Sequence, residues 1–120
     1  MTLTLAQTAT FVSLWKHWRL TDPDLRELER QVMDNPLAGP VIRNTGGVRK
    51  TRFAPPSRGG GKSGGFRVCY LHVPTHSFVC FVLVYPKNEQ ANLTPEQQQA
   101  CRTLVKEIRR KLDEQRPSKE

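Results

Sequence analysis

The hydrophobic pattern at the start of the chain predicts a short strand followed by a short helix. Residues 8–12 are β-prone and predict the first strand. Phe11, Trp15 and Trp18 then follow at intervals of four and three residues, which is the spacing of one helix face. Residues 1–7 carry no such pattern, and we expect them to be frayed.

A second helix is predicted between two prolines. Asp22-Pro23 is a helix start, because a capping side chain is followed by proline at the first helical position. The apolar stripe of this helix consists of Leu25, Leu28 and Val32. Asn35-Pro36 ends it, and a loop rich in glycine and proline follows over residues 36–47.

Three strands are predicted in the middle of the chain, over residues 48–54, 66–73 and 78–85. A glycine-rich, basic insertion at residues 55–65 separates the first two, and a turn at residues 74–77 separates the last two. The run 78–85 is apolar at every position, so both of its faces should be buried at the centre of the sheet.

The last predicted element is a helix that starts with a capping box. Thr94 is its N-cap, Pro95 follows, and Gln97 completes the box. Its apolar stripe is formed by Cys101, Leu104, Val105, Ile108 and Leu112. The tail over residues 115–120 is charged, and we expect it to be frayed.

The element order is therefore β-α-α-β-β-β-α, within a single domain over residues 1–120. This order predicts an α+β fold, with a small antiparallel sheet, two N-terminal helices and a C-terminal helix. We expect the helices to cover one face of the sheet and to leave the other partly open.

Charge is concentrated in the middle of the chain. The net charge is +8, and residues 35–88 carry eight Lys and Arg but no Asp or Glu. The remaining residues hold equal numbers of basic and acidic side chains. Such a field attracts polyanions, and nucleic acid is the commonest one.

Other classes of protein are excluded more simply. The longest apolar run, residues 78–85, is far too short to span a bilayer. The first twelve residues lack the basic region of a secretory signal. Cys69, Cys80 and Cys101 form no C-x-x-C pair, so we expect reduced, buried thiols and a cytoplasmic protein.

Alternation in the strand 48–54 sorts its basic residues between two faces. Lys50 and Arg52 share one face with Val48, at a separation of about 7 Å. Arg49 and Phe53 share the other face with Thr51, and Phe53 should point into the core.

Two kinds of catalysis can be judged from the residue types. Gly61-Lys62-Ser63 resembles the end of a P-loop, but position 56 is Pro where that motif requires Gly, so nucleotide hydrolysis is rejected. RNA cleavage needs no nucleophile from the protein, since the ribose 2′-OH supplies one. Clustered Lys and Arg can stabilise the charge of the phosphorane. The same cluster could equally bind RNA or DNA without cleaving it.

Three segments resemble the RelE/HigB superfamily of type II toxins, and most closely its HigB-like, RelE-type branch. They are residues 45–54 (TGGVRKTRFA), 61–68 (GKSGGFRV) and 84–89 (VYPKNE). The ending Leu93-Thr94-Pro95-Glu96, followed by an amphipathic helix, resembles the same branch. The resemblance implies a metal-independent, cofactor-free mRNA endonuclease that acts in the ribosomal A site through 2′-OH attack and inhibits translation.

The resemblance also implies site residues. By motif, the catalytic positions are Lys50, Arg52, Arg67 and Lys87, with Lys50 as the base. Arg52 and Arg67 would hold the scissile phosphate, and Lys87 would assist the phosphate or the leaving group. The implied RNA contacts are Arg49, Arg58, Lys62 and Asn88.

The partners implied by the resemblance are the ribosome, mRNA and a cognate antitoxin, which in this branch is usually a helix-turn-helix protein. Operator DNA would be contacted only through the antitoxin complex, and no membrane is involved. The chain departs from relatives in having no Tyr or His in residues 90–120, and in carrying Asn88 where some have Arg. Two alternatives remain: a non-catalytic nucleic-acid-binding module or inactive toxin fold, and an RNase that acts on free RNA.

Overall fold

The computed structural model describes residues 3–59 and 65–115. Its helices and strands are β1 (Thr4–Gln7), α1 (Ala9–His17), α2 (Asp22–Asp34), β2 (Arg49–Phe53), β3 (Phe66–Val73), β4 (Phe78–Pro86) and α3 (Pro95–Gln115). Two short 3-10 turns, Pro56–Arg58 and Pro74–His76, flank β3. The predicted α+β class and the order β-α-α-β-β-β-α are confirmed.

The strands form one sheet in the order β1-β4-β3-β2. The predicted antiparallel arrangement holds for β2, β3 and β4, whereas β1 pairs with β4 in parallel. The reason is the long connection through α1 and α2, which carries the chain across to the far edge and lets β4 return beside β1. The predicted central position of β4 is confirmed.

The first strand lies earlier than the sequence predicts. The prediction of a strand over residues 8–12 is wrong. Thr8 is instead the N-cap of α1, and its hydroxyl accepts a hydrogen bond from the Phe11 backbone N–H at 3.0 Å. The capping hydrogen bond outweighs the β-propensity of this segment. Residues 4–7, expected to be frayed, form β1 instead, and α3 continues through Gln115.

Helices lie on both faces of the sheet, so the expectation that they cover only one face is wrong. Helices α1 and α2 pack on one face through Phe11, Trp15 and Leu28. Helix α3 packs on the other through Cys101 and Val105, against Cys69 and Leu71 of β3. Because β3 and β4 are apolar on both faces, each face needs a cover to remove it from water.

The capping box predicted for α3 is confirmed, and α2 has one that was not predicted. In α3, Thr94 and Gln97 exchange hydrogen bonds with each other's backbone N–H groups, at 3.0 and 3.1 Å. In α2 the cap is Thr21, one residue before the predicted Asp22, and its reciprocal partner is Asp24. Sequence therefore located these helix starts to within one residue.

The predicted burial of the three cysteines is confirmed. Cys69, Cys80 and Cys101 are buried free thiols. Among the described residues, no helix combines the length and the apolar character that crossing a membrane would need.

Candidate functional site

Strand pairing brings three of the predicted basic residues together. Arg52 of β2 lies opposite Arg67 of β3, and Lys50 lies opposite Cys69, two residues further along the same face. These three cations line a cavity of about 550 Å³, whose other lining residues are Ala38, Gly39, Pro40 and Thr51. We call this cavity the basic cleft.

One wall of the basic cleft is a loop that presses on β2. The Lys50 backbone N–H donates to the Pro40 carbonyl at 3.1 Å. At Gly39 there is no room for a side chain, since a Cβ there would lie 2.5 Å from the Lys50 carbonyl oxygen. The Arg49 guanidinium donates to the Gly39 carbonyl at 2.7 Å, so this predicted RNA contact braces the outer side of the wall.

The cations of the basic cleft have no acidic partners within the described ranges. The ion pairs found there belong to Arg30, His76 and Arg110, all outside the cleft. The Lys50 ammonium group donates to the Ala91 carbonyl at 3.3 Å. Three unneutralised cations in one concave site create a field that favours a phosphate group.

Tyr85 is a neighbour of the cleft that the sequence reasoning missed. It lies opposite Arg67 across β3 and β4, next to the Arg52–Arg67 pair. Its buried hydroxyl lies beside the Cys69 thiol without a hydrogen bond of ordinary geometry. Burial raises the pKa of Tyr85 well above its usual range, and burial together with nearby Cys101 raises the pKa of Cys69 to about 12. Both groups therefore stay neutral beside the cleft.

Three further predicted site residues, Arg58, Lys87 and Asn88, line a second cavity at the same end of the sheet. This cavity is about 280 Å³ and is lined by Trp18, Arg58, Gly65, Phe66, Pro86, Lys87, Asn88 and Glu89. We call it the aromatic cavity. Lys87, predicted to act beside Lys50, Arg52 and Arg67, lines this cavity and not the basic cleft. Lys62 lies outside the described residues.

A buried carboxylate fixes the turn that carries Arg58. Asp24 is fully buried and accepts from the Ser57 backbone N–H at 2.9 Å and from the Ser57 hydroxyl at 2.5 Å. Burial alone would raise the pKa of Asp24, but hydrogen bonds from Ser57 and Thr21 outweigh it and lower the pKa. Nothing in the sequence signals this contact, because its partners are 33 residues apart.

The histidines line neither cavity. His76 lies 3.3 Å from the Asp113 carboxylate, and the His17 ring meets Trp18 edge-on. His72 is half-buried in β3, and burial together with the charge of Arg49 lowers its pKa. Over residues 3–59 and 65–115, no group of three or more His, Cys, Asp or Glu is placed to hold a metal ion.

Comparison with known protein families identifies the class. Residues 5–117 match the family described as the RelE toxin of the RelE / RelB toxin-antitoxin system. The match extends over most of the chain, and the protein belongs to the RelE toxin family. It is therefore the toxin component of a toxin–antitoxin pair, whose partner is a cognate antitoxin.

Solved structures show the same fold. A variant of the E. coli toxin RelE with two arginines changed to alanine, in the free state, is similar with a TM-score of 0.54 at 14% identity. The similarity covers 88% of this chain and 98% of that one. The isolated E. coli RelE toxin is similar with a TM-score of 0.50 at 18% identity, over 89% of this chain and 99% of that one.

Proposed function

We propose that this toxin is a ribosome-dependent endoribonuclease that cleaves mRNA without a metal and so inhibits translation. The observation that carries the proposal is the basic cleft, where Lys50, Arg52 and Arg67 converge without an acidic partner among the described residues. Membership of the RelE toxin family supports the same activity. The cytoplasm is the compartment in which such an enzyme would meet its substrate.

The proposed reaction is a transfer within the RNA. The 2′-oxygen of a ribose attacks the adjacent phosphorus, the new O–P bond forms, and the bond from phosphorus to the 5′-oxygen breaks. Lys50, in its neutral form, accepts the proton of the 2′-OH, and the 5′-oxygen leaves with a proton from a donor or water. Arg52 and Arg67 hold the phosphate and the charge that develops on its oxygens.

The remaining predicted residues take supporting roles in this proposal. Lys87, in the aromatic cavity, contacts the next phosphate or the leaving group. Arg58 and Asn88 contact RNA from the same cavity, and Arg49 and Lys62 contact the RNA backbone or ribosomal RNA. The cognate antitoxin is proposed to be a helix-turn-helix protein, through which alone the complex contacts operator DNA.

Expression in growing cells, with and without substitution, tests this function. Wild-type protein should arrest growth and cleave mRNA, and Lys50→Ala and Arg67→Ala should relieve both effects. The matched control is Arg110→Ala, which removes the same charge from a surface network with Glu107 and Glu114 on α3 and should stay toxic. A harmless wild type that still binds RNA would establish the binding-module alternative instead.

A second arm separates ribosome dependence from free RNase activity. Purified protein should cleave mRNA on translating ribosomes and leave the same mRNA intact in solution. Equal cleavage of both would overturn ribosome dependence and leave the endonuclease assignment standing.

A further inference from the structure

The aromatic cavity differs in chemistry from the basic cleft beside it. The side chains of the cleft that carry charge are all cationic, whereas the aromatic cavity combines Arg58 and Lys87 with the carboxylate of Glu89. A carboxylate disfavours a phosphate, and it accepts hydrogen bonds from amino and imino groups. Glu89 and Asn88 together offer the donors and acceptors that read the edge of a base.

Flat groups form the wall of this cavity. The Arg58 guanidinium lies over the Phe66 ring, 5.3 Å from its centroid. The Trp18 ring meets Phe66 edge-on, with centroids 6.4 Å apart. Planar guanidinium and aromatic surfaces are the groups on which unpaired RNA bases stack.

Trp18 also carries an unused donor. Its indole N–H is buried and has no hydrogen-bond partner among the described residues. Buried polar groups in proteins almost always have a partner. A ligand with a carbonyl or ring-nitrogen acceptor, such as a nucleobase, can supply one.

The walls of the cavity are held in place before any ligand binds. Asp24 holds the turn that carries Arg58, through Ser57. Arg58 in turn donates to the Trp18 carbonyl. On the opposite side, the Lys87 backbone N–H donates to the Gly65 carbonyl at 3.2 Å. Preorganised walls reduce the entropy cost of binding.

The position of the cavity fits the path of an RNA strand. Phe66 and Arg67 are consecutive at the start of β3, so their side chains point to opposite faces of the sheet, one lining the aromatic cavity and the other the basic cleft. An RNA strand that passes around this end of β3 meets both sites. We propose that the aromatic cavity binds a nucleobase next to the scissile phosphate and thereby sets the sequence preference of cleavage. This inference rests on the proposed endonuclease function.

Binding to a non-cleavable RNA tests the inference. The probe is a short single-stranded RNA methylated at every 2′-oxygen, compared with the same RNA carrying one abasic ribose at successive positions. We expect removal of one particular base to weaken binding roughly tenfold, as loss of a stacked base does. Quenching of Trp18 fluorescence should accompany binding, and Trp18→Phe should remove that signal.

Charge-preserving substitution separates stacking from phosphate contact. Arg58→Lys keeps the charge and removes the planar group, so it should weaken the full RNA roughly tenfold and the abasic RNA little. The matched control Arg110→Lys makes the same exchange on the surface of α3 and should change neither affinity. Asn88→Ala should change the pattern of sites at which mRNA is cut.

The outcomes distinguish this inference from the proposed function. No binding of the RNA by the wild type, or equal affinity for full and abasic RNA, overturns the base site. If the wild type still cleaves mRNA in that case, the endonuclease assignment stands. Base-dependent binding without any cleavage would support the base site and overturn the endonuclease. If Arg58→Lys and Asn88→Ala bind RNA as the wild type does and lose only affinity for the antitoxin, the cavity binds a segment of the antitoxin instead of a base.

Discussion

At the residue scale, the buried Asp24 carboxylate joins two segments of the chain. It accepts from the backbone N–H groups of Thr21 and Ser57 and from the Ser57 hydroxyl, and so ties the start of α2 to the turn before β3. Asp24→Asn replaces one acceptor oxygen by a donor and leaves one part-buried backbone N–H, of Thr21 or of Ser57, without its partner. We expect the free energy of unfolding to fall by about 1–3 kcal/mol.

Urea unfolding checks this prediction, with Asp22→Asn as the control. Asp22 is exposed in the same first turn of α2, so its substitution should cost well under about 1 kcal/mol. Equal losses for the two variants would contradict the role given to Asp24.

His72 predicts a pH dependence of stability. Its pKa is lowered from the ordinary 6.5 by burial and by Arg49, so the unfolded chain binds the proton more readily than the folded one. The free energy of unfolding should therefore be unaffected by His72 at high pH and fall as the pH drops below about 6.5. The slope from one group is at most about 1.4 kcal/mol per pH unit.

Unfolding measured between about pH 7.5 and pH 5.5 tests the sign. His72→Gln should reduce the fall in the free energy of unfolding on acidification, whereas His17→Gln, at an exposed position, should not. The prediction would be contradicted if acidification made the wild type more stable relative to His72→Gln.

At the element scale, close packing of the loop 38–40 on β2 shapes the basic cleft. A Cβ on Gly39 would lie 2.5 Å from the Lys50 carbonyl oxygen and 2.8 Å from its carbon. Gly39→Ala must therefore push the loop away from β2. We expect a loss of about 1–3 kcal/mol in stability and a clear loss of mRNA cleavage, because Lys50 loses its backbone support.

Gly46→Ala provides a matched control for that loss. Gly46 has φ of +81° and room for a Cβ, so alanine there is strained by about 1–2 kcal/mol without touching the cleft. Cleavage that falls equally in both variants would mean that stability alone, and not the wall, limits activity.

At the scale of the whole molecule, the net charge of +8 predicts salt-sensitive binding to RNA and ribosomes. Each single-strand phosphate contact contributes roughly 0.7 to the slope of log K against log salt. Lys50→Ala should therefore reduce the slope measurably. Arg110→Ala, which changes the net charge equally, should leave it unchanged because Arg110 is paired with Glu107 and Glu114. Equal salt slopes for the wild type, Lys50→Ala and Arg110→Ala would contradict RNA binding in the basic cleft.

Local features of the chain were readable from the sequence alone. The bounds of β3, the capping box at Thr94 and the end of α2 before Pro36 depend on neighbouring residues, and each was predicted correctly. The alternation that places Lys50 and Arg52 on one face is equally local, since strand geometry repeats every two residues. Thr8 was misread because one capping hydrogen bond decided between strand and helix.

Distant contacts were decided only by the tertiary structure. The register places Arg67 between Arg52 and Tyr85, and the Asp24–Ser57 contact joins α2 to the turn before β3. These contacts, and the placement of Lys87 in a separate cavity, depend on residues far apart in the chain. Such pairings follow from how the whole sheet and both helical layers pack together, and no local pattern encodes that balance of free energies. Sequence by itself determined which residues carry the charge, and packing decided which of them share one cavity.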